Sequence, residues 1–154
     1  DAEGRLRVNV TVEDSGPAVY LLDGDECARA ALSVVHEAHS LSFLGKDGEP
    51  RASLSVADEV QQLTFVGHQG QPRVLLMATA DAPGLSFCSR DGSLVATLGL
   101  AHGTSAPGLA LYDEAGQPRA LLMVDAEGPG LLLSDESGRR VWQAPRLRGD
   151  RRAS

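Results

Sequence analysis

A 22-residue period runs through almost the whole chain and limits what it can fold into. Equivalent segments open at Val19, Leu41, Leu63 and Leu85, each 22 residues after the last. The next opens at Leu109, 24 residues on, and Leu131 follows 22 later. The two additional residues fit within positions 101–107, a loop by composition. The chain begins inside a unit, since Gly4, Arg7, Val10 and Val12 align with Gly116, Arg119, Leu122 and Val124. Residues 1–142 therefore read as a single repeat domain of about seven units, the first and last incomplete, and residues 143–154 as a basic, flexible tail. A repeat cut in mid-unit is expected of a fragment or a processed product. The burial of about five side chains per unit does not offset the conformational entropy of 22 residues, so neighbouring units must share a core.

Each unit reads as two strands. Apolar and polar residues alternate at period two in short first strands (Leu41/Phe43, Leu63/Phe65, Leu109/Leu111) and longer second strands (Ala52/Leu54/Val56, Ala120/Leu122/Val124). Gly or Pro interrupts the chain every ten residues or so, which argues against significant helix. Residues opposed in an antiparallel pair share a face. Pairing Leu109 with Leu122 and Leu111 with Ala120 puts Leu109, Leu111, Ala120, Leu122 and Val124 on one side. That register predicts a four-residue loop, Glu114 to Gln117, with Asp113 facing Pro118 and Gly116 supplying a positive φ. A two-residue turn at Glu114 and Ala115 would need positive φ at both and is disfavoured. The connections from Val124 to Leu131 and its equivalents read as six-residue loops. The expected fold is all-β, a meander of about fourteen antiparallel hairpin strands. A two-sided β-roll solenoid of 22-residue coils fits the same alternation and stays open as the alternative.

Two second strands depart from one-sidedness. Leu75, Met77, Leu121 and Met123 fall on the outer face and are the candidate interface residues, either covered locally or open to a protein partner. Arg7, Arg29, Arg51, Arg73 and Arg119 share one repeat position, which Val95 and Val141 interrupt. Opposite Leu44, Val66 and Tyr112, these Arg stems are expected to lie over apolar neighbours with their heads in water.

Chemistry is sparse. The net charge of −7 argues against a nucleic-acid surface, and no apolar run is long enough to span a membrane as a helix. His36-Glu-Ala-His39 is one residue short of the zincin spacing and sits in a loop, and His102 shares the repeat position of His36 three units away. Asp23-Gly-Asp-Glu26 lacks calcium-loop spacing. Cys27 and Cys88 occupy non-equivalent positions and form no disulfide framework. Asn9-Val-Thr11 fits a glycosylation sequon, and Arg148-Gly-Asp150 a short adhesion-like tripeptide. No catalytic residue, metal site or cofactor is expected. Lys46 is the only lysine, a bias that points toward a GC-rich bacterial genome.

The unit L-x-L-x-D-x-x-G-x-x-R-A-x-L-x-V resembles the degenerate tandem β-hairpin repeats of uncharacterised bacterial proteins, over residues 1–142. In plan, though not in motif, it is similar to the repeated strands of viral and phage fibre shafts. Neither likeness carries functional residues across. A long one-sided apolar face needs a cover, so the expected role is a non-enzymatic structural module that self-associates into a trimer, fibre, filament or stalk. A monomeric roll or propeller-like module that binds a protein or ligand through its loops is the alternative. No compartment is fixed by the residues, and a fibre points toward the cell surface or extracellular space.

Overall fold

The structure is a computed structural model that describes residues 1–35, 38–80, 83–100 and 106–145. All thirteen of its elements are strands. The chain divides into two units, Asp1–Ala80 and Asp81–Ser154. The first holds β1 (Val8–Glu13), β2 (Gly16–Leu22), β3 (Ala28–Val35), β4 (Ala38–Leu44), β5 (Pro50–Ala57), β6 (Val60–Val66) and β7 (Pro72–Ala78). The second holds β8 (Gly84–Cys88), β9 (Leu94–Leu100), β10 (Pro107–Tyr112), β11 (Pro118–Asp125), β12 (Gly128–Ser134) and β13 (Arg140–Ala144). Within each unit every strand pairs antiparallel with the one that follows it, in the order of the sequence. This is the expected meander, and strand β13 runs two residues past the expected domain boundary at 142.

The register repeats the pattern that parity required. Leu109 faces Leu122 and Leu111 faces Ala120. The turn itself differs from expectation. The Asp113 N–H donates to the Gln117 carbonyl at 3.0 Å, and the Gly116 N–H donates to the Asp113 carbonyl at 2.9 Å. The loop is thus three residues, Glu114 to Gly116, closed by glycine at φ 74°. The extra residue lies inside the strand instead. Tyr112 faces Pro118, Leu111 faces Ala120, and Arg119 between them is left without a partner in the ladder, as a β-bulge. Loop plus bulge contain the same number of residues as a four-residue loop, so the faces still match. The same two backbone bonds close residues 23–27, 45–49, 67–71, 89–93 and 135–139. A bulge falls beside each, at Arg29, Arg51, Arg73, Val95 and Val141.

The opposite ends of the hairpins are tighter than the expected six-residue loops. Asp125 pairs with Gly128 across Ala126 and Glu127, Ala57 with Val60, and Glu13 with Gly16. Asp58 takes φ 46° to make one of these turns. Pro50, Pro72 and Pro118 each open a strand, where a missing N–H costs the ladder least.

Each unit has a leucine face and an opposite face. On the leucine face of the first unit the register aligns Val10, Val19, Leu32, Leu41, Leu54, Leu63 and Leu76 across all seven strands. In the second unit Leu85, Leu98, Leu109, Leu122 and Leu131 align in the same way. The opposite face of the first unit carries Ser33, Ser40, Ser42, Ser53 and Ser55, and Ser33 and Ser40 share a hydroxyl hydrogen bond of 2.8 Å across the strands. The better sheltered face is this opposite one. Ala18, Thr64 and Ala110, the buried residues among those described, all lie there. Large side chains of the leucine face stand open: Leu32 is 53% exposed, Leu54 49% and Leu122 48%.

Candidate interaction surface

The repeated arginine finds its reason at the bulge. An extra residue in a strand re-aims its side chain, and here it turns the guanidinium toward the loops. Arg119 Nε donates to Asp113 Oδ2 at 2.6 Å, within its own hairpin. Its Nη1 donates to the Asp135 carbonyl, and its Nη2 to the Glu136 carbonyl at 3.0 Å, in the loop one repeat further on. Arg29 makes the same clip, from Asp23 Oδ2 at 2.5 Å to the Gly45 carbonyl at 2.6 Å. Arg51 reaches the Gly67 carbonyl at 3.3 Å and pairs with Asp47. The heads of Arg29, Arg51 and Arg119, expected in water, are instead held in inter-hairpin staples. Arg119 lies beside Pro118, the residue that faces Tyr112.

The aspartates at the head of these loops hold the turn as well as the arginine. Asp113 Oδ1 accepts the Ala115 and Gln117 N–H groups at 3.0 and 2.9 Å. Asp23 accepts those of Asp25 and Cys27 at 2.9 and 3.1 Å, and Asp1 those of Glu3 and Arg5, both at 3.0 Å. The backbone N–H of Gln117, with the Arg119 guanidinium beside it, holds the Asp113 carboxyl below the ordinary aspartate range. The Cys27 N–H and Arg29 do the same for Asp23, and the Ser137 hydroxyl and the Arg139 N–H and side chain for Asp135. Where glycine replaces the leading aspartate, at Gly45, a Cβ would lie 2.8 Å from Arg51 Nε, because the arginine and Asp47 fill that space. The acidic turn at Asp23–Glu26 is therefore a stapled hairpin loop, and no cluster of three or more metal-ligating side chains occurs among the described residues.

The four candidate interface residues lie on the opposite face, as their parity requires. Leu75 pairs with Thr64, Met77 with Gln62, Leu121 with Ala110 and Leu132, and Met123 with Gly108 and Gly130. All four are half-buried. In the second unit, Leu121 and Met123 line two adjoining grooves. One is about 260 Å³, floored by Gly99, Gly108 and Ala110 with Tyr112 at its side. The other is about 160 Å³, between Leu132, Gly130 and Gln143. Glycines on the neighbouring strands leave room for the methionine to lie along the sheet. These residues are covered in part by the chain's own neighbours, and the larger open apolar surface is the leucine face.

Cys27 and Cys88 are not joined in a disulfide. His36, His102, the Arg148-Gly-Asp150 tripeptide and the basic tail beyond Pro145 lie outside the described residues. No helix among the described residues is long and apolar enough to cross a membrane. The chain matches no protein-family model and no curated protein.

Proposed function

We propose that this chain is a non-catalytic assembly module that binds copies of itself through the leucine face to build an oligomeric fibre, filament or stalk. The observation that carries this reading is the exposure of that face. In the first unit it spans seven strands, roughly 30 Å by 15 Å at ordinary strand spacing. A patch of that size is at the upper end of what a typical monomer leaves in water. Pressing two such faces together removes roughly 1,000 Å² from solvent, the lower range for a specific interface. Hydrophobic burial is the main favourable contribution such a chain lacks, since no large side chain among the described residues is fully buried. The test is the mass in solution across a range of concentrations, by light scattering, with negative-stain microscopy of the largest species. Multiples of 16.2 kDa that grow with concentration are expected. A heat-stable monomer at high concentration sinks the proposal.

A further inference from the structure

The side chains of the leucine face are not evenly raised. In the first unit Leu21, Leu32, Phe43, Leu54, Phe65 and Leu76 are each 47–54% exposed, one on every strand from β2 to β7 and eleven residues apart. The register sorts them into two rows. Leu21, Phe43 and Phe65 share one row with Ala30 and Ala52 between them. Leu32, Leu54 and Leu76 share the next, alternating with Leu41 and Leu63. Large and small alternate strand by strand in the first row, a period of about 9.6 Å. Each alanine is a hollow with a large side chain on either side.

A surface that alternates at a fixed period is complementary to itself when shifted by half that period, which here is one strand. A two-fold axis parallel to the strands, midway between β4 and β5, makes that shift. It lays Phe43 of one copy over Ala52 of the other, and Phe65 over Ala30, and the reverse pairs follow by symmetry. The same axis matches β2 with β7 and β3 with β6, so all six strands that carry the raised side chains are covered. We propose that the cover of the first unit's leucine face is the same face of a second copy, seated in this register as a dry sheet pair. The alternating sizes would let the two faces interlock at about 10 Å, the ordinary distance between packed sheets. This rests on the assembly reading above and adds to it a partner surface and a register.

The register makes a prediction opposite to general stickiness. Ala30→Phe/Ala52→Phe makes the face more apolar but fills the hollows, and should weaken self-association at least tenfold by sedimentation. Phe43→Ala/Phe65→Ala should weaken it too. Mixed together, the two double variants should form a heterodimer tighter than either homodimer, since each filled hollow then meets a removed ring. Far-UV spectra verify that the strands persist, and Ala52→Leu replaces Ala52→Phe if the larger residue prevents folding. Association of the filled variant as tight as or tighter than the parent chain overturns the register and leaves the assembly reading intact. Failure of the mixture to associate while both variants fold also overturns the register. A parent chain that stays monomeric overturns both.

Discussion

At the scale of single residues, the aspartates at the head of the hairpin loops have the clearest consequence. An aspartate whose folded pKa lies below its unfolded value of about 3.9 binds fewer protons folded than unfolded. Its contribution to stability is complete above that unfolded value and is lost as pH falls through the lower, folded one. Asp23, Asp113 and Asp135 at the loop heads are all held low, as are Asp47 and Asp91 inside the loops headed by Gly45 and Ser89. The melting temperature should therefore be flat at neutral pH and fall below about pH 4. Asp113→Asn should lower the plateau and make the acid limb shallower, read from thermal melts between roughly pH 2 and 6. An unchanged acid limb would mean that the carboxylate contributes nothing. The D-x-x-G-x-x-R spacing was legible in the sequence, but its purpose was not. A linear pattern shows that Asp113 and Arg119 recur together; it does not show that a bulge swings Arg119 onto a loop one repeat away.

At the scale of the element, the hairpin is a three-residue loop with a bulge, and glycine sets its cost. Gly116, Gly48, Gly70, Gly92 and Gly138 all take φ between 74° and 88° at the same place. Glu26 occupies that place in the second loop at φ 59°, and its carboxylate accepts the Leu6 N–H at 2.8 Å, a contact glycine would lack. A Cβ added at Gly116 meets nothing within 4 Å, so Gly116→Ala pays only for left-handed backbone, about 1 kcal/mol. Gly16 is different: at φ 134° its added Cβ would fall 2.0 Å from the Val34 carbonyl oxygen. Gly16→Ala must displace the neighbouring strand as well, and should cost clearly more than Gly116→Ala in urea unfolding. Equal costs would show that the strand yields freely. Parity alone led to the strand pairings and the total of turn and bulge residues. It does not divide that total between loop and strand, because both divisions keep the same side chains on the same face.

At the scale of the whole molecule, the two faces invert the ordinary relation between apolarity and burial. The leucine face is open, and the face of Ser, Ala and Gly is sheltered. Leu54 is 49% exposed on a central strand, so Leu54→Asp should leave the strands formed while weakening self-association at least tenfold, measured by far-UV spectra and sedimentation. Met123 is half-buried between Gly108 and Gly130, so Met123→Asp should instead lower the stability of the fold, by about 2 kcal/mol. Loss of folding in the first variant, or none in the second, would reverse the assignment of the faces.

The sequence alone determined the all-β class, the two-strand unit, the pairing of Leu109 with Leu122 and the apolar side of every strand. Those follow from periods of two and twenty-two, which are local properties of the chain. Tertiary structure decided which face is sheltered, where the bulge falls and what each arginine holds. Those depend on how neighbouring strands and loops meet in space, and residues 16 or more apart in sequence, such as Arg119 and Asp135, become partners only there.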